Sequence, residues 1–226
     1  MNIYEGQGYV TLINHMGHDH TPALAARVSF ANIDYSSEMS ERDTKLIHYL
    51  AKHQHTSPFE HQQATFIIDC PIYVARQIMR HRTFSFNEVS RRYTSEALDF
   101  HLPSSLRAQA DKNLQCSTNE TVKRSEELLD LIEHYQELSH SMYEELLSSG
   151  VSREQARAVL PLSLTTTFWM SGNLLNFSKF LKLRLSEHSQ HETREVAEAI
   201  LSELSYIWPV SMSALLKTTI ISNETH

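Results

Sequence analysis

The segment "RQIMRHRTFSFNEVSRRY", Arg76 to Tyr93, carries five arginines and a histidine in a chain whose formal net charge is -7. Three kinds of chemistry fit such a local concentration of cations: a groove for nucleic acid, a solvated helix face, or a pocket for a small polyanion. Gln77, Arg80 and His81 lie three and four residues apart, a spacing that places them on one face of a helix near its C-terminal end. Arg82, Asn87, Glu88, Ser90, Arg92 and Tyr93 follow on an expected loop and the start of a new segment. A solvated basic turn complementing the helix dipole would account for the charge alone. Phe84 and Phe86, alternating with polar residues, and the interleaving of Asn, Glu and Ser with arginine suit a pocket that satisfies both donors and acceptors.

A second group of candidates is "HQHTSPFEH", where His53, His55, Glu60 and His61 are all capable of binding a metal. Their spacing matches no standard zinc motif, and Ser57 and Glu60 read as the two ends of a capping box, with Pro58 between them at the first helical position. Arg157 stands in "ARAVLP" as a helix-terminal arginine or a ligand. Arg184 shares a helix with Phe177, Phe180 and Leu181 and either snorkels into water or projects from an apolar surface where charge is weakly screened. Ser90 could be a nucleophile only with a positioned base, which the local sequence does not supply. Cys70 lies between an expected strand and a proline, and Cys116 lies in a polar loop; neither has the electropositive setting of a reactive thiolate.

The elements that must position these residues are mostly helical. "PALAARVSF" (Pro22 to Phe30) reads as a short helix passing into an extended piece. "SERDTKLIHYLAKHQ" reads as a helix capped by Ser40. "ATFIIDC" is β-branched or aromatic and stopped by Pro71, so it is an expected strand, and Pro71 opens the helix "PIYVARQIMRHR". Residues 118–149 read as one long helical region, with Val122, Leu129, Ile132, Tyr135, Met142 and Leu146 as its apolar stripe and Gly150 as its stop. "SREQARAVL" is a further capped helix ended by Pro161, "LSLTTTFWM" a strand, and helices are expected over 173–186 and 191–207. The fold class is α+β, helix-rich, with a small sheet packed among helices.

At 226 residues, with 41% apolar and 21% charged residues, the chain has the balance of a soluble globular protein of one domain or a compact pair of lobes. No apolar run reaches the ~20 residues that span a bilayer. The N-terminus lacks the basic-then-apolar layout of a signal peptide, so the chain reads as cytoplasmic, with no membrane partner. Overall acidity argues against nucleic acid, whose sequence-independent binding needs broad basic surfaces. There are only five glycines, and neither GxGxxG nor GxxxxGK[ST] occurs.

The motifs themselves carry a resemblance. "RHRTFSFNEVS" satisfies R-H-R, seven residues, S, the signature of the flavin-dependent thymidylate synthases (ThyX family), and "NEVSRRY" continues that pattern. "AARVSF", "HTSPFEHQ", "PIYVARQ", "ARAVLP" and "FLKLRLSEHSQ" resemble further family blocks in the family's order, from about Ala25 to Gln190. The resemblance implies a single catalytic domain over 1–226 that methylates dUMP to dTMP. Methylenetetrahydrofolate would be the carbon donor, reduced FAD the hydride donor and NADPH the reductant, in a homotetramer with shared sites and no resident metal. It implies dUMP contacts at Gln77, Arg80, Glu88, Ser90, Arg92, Arg157 and Arg184. It implies FAD contacts at His55, Ser57, Arg80, His81, Arg82, Glu88 and Asn173, with Lys179 at a further flavin position. Arg184 would be the catalytic cation that stabilises the ionised pyrimidine in place of a cysteine thiolate. The sequence departs from the family at Leu175, where many members have arginine, and at Lys179, where many have Asn or His. The departure at Leu175 motivates the alternative of a non-catalytic or regulatory nucleotide-binding protein on the same fold.

Overall fold

The computed structural model of the chain describes residues 1–31, 38–95, 98–113 and 116–217. Strands β1 (Asn2–Ile3) and β2 (Gly8–Met16) lead to helices α1 (Thr21–Arg27) and α2 (Glu41–Lys52). Strand β3 (Gln63–Pro71) runs directly into α3 (Ile72–Ile78), followed by β4 (Ser85–Glu88) and a hairpin of β5 (Arg107–Gln109) and β6 (Ser117–Thr121). Next come α4 (Ser125–Ser148), α5 (Arg153–Ala156), β7 (Thr165–Asn173), α6 (Leu174–Arg184), α7 (His191–Ile207) and α8 (Pro209–Lys217). The fold is α+β.

The main sheet has the order β1-β2-β3-β7-β4, with every neighbouring pair antiparallel. Its spine is the β3–β7 pair, in register from Gln63↔Asn173 to Pro71↔Thr165. Side-chain alternation along a strand then decides which face is core. Ala64, Phe66, Ile68 and Cys70 of β3, with Phe168 and Met170 of β7, are buried, whereas Trp169 is exposed. Helix α6 covers that face with Leu174, Leu175, Phe177, Phe180 and Leu181, and α7 adds Val196, Ala197, Ile200 and Leu204. Because α3 leaves one end of the spine and α6 the other, their C-terminal ends approach each other over the core. Arg184 bridges that meeting point.

Several sequence expectations are confirmed and several corrected. Ser40 does cap α2, in a reciprocal box with Asp43. Residues 28–30 form a 3₁₀ turn and not an extended piece. The segment Ser57–Glu60 is a 3₁₀ turn preceded by Thr56, with no side-chain cap bond, so the capping box at Ser57 does not form. Buried Pro58 and Phe59 anchor it instead. The expected helix over Pro71–Arg82 stops at Ile78, because Phe84 is drawn down against Phe177 and Phe180 and the chain continues as a strand beside β7. The shared helix face for Gln77, Arg80 and His81 therefore does not exist. The helix expected from 118 begins at Ser125, since residues 117–121 pair with β5. Of its expected stripe, Tyr135 and Met142 are exposed; Gln136, Ser139 and Tyr143 face inward. Strand β7 begins three residues later than "LSLTTTFWM" suggested and continues to Asn173.

Candidate active site

The start of α6 is fixed before any ligand is considered. Asn173 caps the helix by accepting from the Asn176 backbone N–H at 2.9 Å. The Asn176 side chain donates in turn to the Thr83 carbonyl at 3.1 Å, tying the helix to the arginine-rich loop. Phe84 holds that loop from below, its ring 4.8 Å from that of Phe177. It can sit there because residue 172 is glycine: a Cβ on Gly172 would lie 2.7 Å from Phe84 Cε1.

On this base Arg184 is held from two sides. Its Nε donates to His81 Nε2 at 3.0 Å, and its Nη2 donates to the Gln77 carbonyl at 3.0 Å. The second bond uses one of the carbonyls that the C-terminal end of α3 leaves without a helical partner. A histidine accepting through Nε2 is neutral, and burial together with the Arg184 charge lowers the His81 pKa. Its ring stands edge-on to Phe180 at 4.9 Å. Burial lowers the Arg184 pKa as well, but a guanidinium remains cationic at neutral pH. Among the described residues Arg184 Nη1 makes no hydrogen bond, so the planar fork presents an unused edge.

A second cluster surrounds a cavity of about 280 Å³ lined by Glu88, Ser90, Arg91, Arg157, Thr165 and Thr166, among others. Thr166 Oγ1 donates to Glu88 Oε1 at 2.8 Å and fixes that carboxylate. Ser90 Oγ accepts from the Arg92 backbone N–H at 3.3 Å and faces no histidine, so it has no base to make it a nucleophile. Arg157 is exposed and in no ion pair among the described residues. Arg92 lies 4.0 Å from Glu154, both exposed, a pair of little energetic weight.

The third group is the set with the fewest internal partners. Arg80, Arg82 and Lys179 are exposed and make no ion pair or side-chain hydrogen bond among the described residues. His55 and Ser57 are exposed on the turn after α2, the His55 ring 6.2 Å from Tyr49. Leu175 is 7% exposed within the main core. In this chain that position is packing, and Lys179, one turn further along α6, is the exposed cation.

The structure thus bonds Arg184 to both Gln77 and His81 and gathers Glu88, Ser90 and Arg157 around one cavity. Among the described residues no hydrogen bond or ion pair joins the two groups. Sequence reasoning missed Thr166, although its place in a β-branched run that pairs across to the "FNE" segment was an available signal. It also missed Gln190, Glu192 and Arg107, which bond to Gln77 directly or in series. Cys70 is fully buried, and burial, with Asp69 and Glu88 nearby, pushes its thiol pKa well up. The Cys116 thiol donates to the His188 carbonyl at 3.0 Å. Among the described residues no three His, Cys, Asp or Glu side chains converge as metal ligands.

The chain is similar over most of its length to proteins of known activity. A flavin-dependent thymidylate synthase of Thermus thermophilus is 41% identical over 208 residues, spanning 92% of this chain and 75% of the relative. One from Thermosipho africanus is 39% identical over 216 residues, 93% of this chain and 92% of the relative. Among solved structures, the UMP/dUMP methylase PolB of Streptomyces cacaoi bound with 5-Br dUMP superposes with a TM-score of 0.83. It is 32% identical and the match covers 92% of this chain and 94% of PolB. The sequence model of the Thy1 family, described as thymidylate synthase complementing protein, matches residues 11–210, and the chain belongs to that family.

Proposed function

We propose that the chain is a flavin-dependent thymidylate synthase that methylates dUMP to dTMP, taking its carbon from methylenetetrahydrofolate, with NADPH reducing FAD. The observation that carries this reading is the half-buried Arg184, oriented by neutral His81 and by the end of α3 with one edge of its guanidinium unused. A fixed cation beside the pyrimidine stabilises the negative charge that develops as N3 ionises, which raises electron density at C5. No thiolate is needed. Arg157, with Glu88 and Ser90, suits the phosphate and sugar of a nucleotide, because an unpaired guanidinium forms forked, charge-assisted bonds with phosphate oxygens. Gln77, Arg80 and Arg92 would supply further dUMP contacts.

The donor set also fits FAD. Arg80, Arg82 and Lys179, exposed cations with no ion pair or side-chain hydrogen bond among the described residues, suit a pyrophosphate, and His55, Ser57, His81, Glu88 and Asn173 would add hydrogen-bonding groups. When bound, the flavin supplies the hydride that converts the transferred carbon to a methyl group. The buried Leu175 removes the motive for a non-catalytic reading, since the position is filled by core packing and an exposed cation stands one turn away.

The unit is proposed to be one catalytic domain that works in the cytoplasm as a homotetramer. Leu131, Tyr135, Leu138 and Met142, 61%, 55%, 54% and 49% exposed, form an apolar stripe along α4 that supports self-association. Among the described residues no helix is long and apolar enough to cross a membrane. The test is titration of the purified protein with FAD by calorimetry, followed by an assay for dUMP-dependent dTMP formation with methylenetetrahydrofolate and NADPH. Stoichiometric flavin uptake and dTMP are expected. A protein that ignores FAD and makes no dTMP removes the proposal.

A further inference from the structure

The orientation of the Gln77 side chain is set by the protein itself. Its Oε1 accepts from Thr193 Oγ1 at 3.3 Å, and its Nε2 donates to Gln190 Oε1. Gln190 Nε2 donates to Glu192 Oε2 at 2.8 Å. The other Glu192 oxygen is paired with Arg107, whose Nε donates to Ser117 Oγ at 2.9 Å. The series runs from the β5–β6 hairpin through the start of α7 to the last turn of α3. Every member has a defined direction. A carboxylate only accepts, so it requires Gln190 to turn its amide N–H toward Glu192 and its carbonyl toward Gln77. The Gln190 carbonyl then requires the amide N–H of Gln77. One buried charge therefore fixes two amide orientations, and Thr193 completes the second.

Glu192 is suited to be that reference. It is 7% exposed, and although burial would raise its pKa, hydrogen bonds from Arg107, from backbone and from Gln190 outweigh burial and leave it lowered. The Tyr4 hydroxyl donates to the Glu192 carbonyl at 2.9 Å, holding the backbone beneath it. At the other end, the residue whose side chain is clamped is the same residue whose carbonyl receives Arg184 Nη2. Helix α3 ends one residue later, at Ile78, so the Gln77 carbonyl lies in its last turn, where carbonyls lack helical partners.

We infer that Glu192 and Gln190 are positioning residues for the methylation step: the Arg107–Glu192–Gln190–Gln77 series pins the last turn of α3 and through its carbonyl sets where the Arg184 guanidinium points. This inference rests on the proposed role of Arg184. Neither residue touches the pyrimidine in this account; each acts through Gln77. Loosening the series displaces a charge stabiliser, and displacement by about 1 Å can cost up to about 100-fold in rate.

The experiment is a double-variant cycle, Glu192→Gln, Gln190→Leu and both together, with Arg184→Ala alongside. Single-turnover dTMP formation is measured at saturating dUMP and normalised to bound flavin, so that loss of folded protein does not count as loss of rate. Each single variant should lose about 10- to 100-fold. The double variant should be no slower than the slower single, because both break one series. Flavin reduction by NADPH should be unchanged. Additive losses, or single variants within about twofold of wild type while Arg184→Ala is slow, overturn the inference and leave the reading of Arg184 intact. A wild-type rate in Arg184→Ala overturns both. If Glu192→Gln does not fold, Gln190→Leu decides alone, since Gln190 is half-buried at the start of α7; a wild-type rate in it overturns the inference.

Discussion

Two sets of residues around the arginine-rich segment contrast sharply. In one, Arg184 is bonded to both His81 and Gln77, and Gln77 is tied through Gln190 to the interior. In the other, Arg157, Arg80, Arg82 and Lys179 are exposed with no ion pair among the described residues. The first region resembles preorganised machinery: its geometry is set before a substrate arrives, so its charge can act on a transition state without reorganising. The second resembles a receptor. Under the proposed function its cations pair with phosphates, and their energetic value would lie in affinity.

The contrast predicts what kind of loss each region suffers. The largest effect is expected in the preorganised set, where Arg184→Ala should lower single-turnover methylation about 100- to 1,000-fold while flavin remains bound. Stopped-flow measurement of flavin reoxidation should show the defect, and flavin reduction should not. Arg157→Ala, in the receptor set, should instead weaken dUMP binding about 10- to 150-fold, the range for a lost charge-assisted bond. Calorimetry with dUMP checks this, and unchanged affinity would take Arg157 out of the site.

Smaller effects probe the packing that joins the regions. Gly172→Ala should displace Phe84 and cost about 1 to 3 kcal/mol of stability, read as a lower denaturant midpoint. An unchanged midpoint would mean that Phe84 does not depend on that close approach. The pH response should also separate the regions. The folded-state pKa of His81 is lowered, so its contribution is complete above the unfolded value of about 6.5 and is lost as pH falls through the folded one. Protonation removes the acceptor for Arg184 Nε, so methylation should decline on that acid limb, with dUMP affinity much less affected. A rate that rises as pH falls below 6 contradicts this.

The sequence exposed the receptor set better than the preorganised one. Arg80, Arg82 and the Asn-Glu-x-Ser run are local features that mark candidate residues, while Arg157 alone reads equally as a helix-terminal arginine or a ligand. Ser40 at the head of α2 and the apolar period of α7 were equally local. The termination of α3 was not legible, because it depends on Phe84 finding Phe177 and Phe180 more than 90 residues away and outweighing a good helical pattern. Strand β6, "STNET", has no apolar alternation and is held by pairing with β5. Helix α8 is capped by the Asp19 carboxylate, which accepts from the Val210 and Ser211 backbone N–H groups, again a contact made only in the fold. The series from Arg107 to Gln77 joins three separate elements, and nothing in their spacing marks them as neighbours.

The central claim is that a held cation, not a thiolate, activates the pyrimidine. Cys70 is buried and Cys116 is engaged with a carbonyl, so neither is placed to attack carbon. The most direct test is to load the Cys70→Ala/Cys116→Ala double variant and the Arg184→Ala variant with flavin and follow dTMP formation in one turnover at saturating dUMP. The account predicts a rate within about twofold of wild type for the cysteine-free protein and a loss of about 100-fold or more for Arg184→Ala. A folded, flavin-bound cysteine-free protein that makes no dTMP, beside an Arg184→Ala variant at full rate, would contradict it.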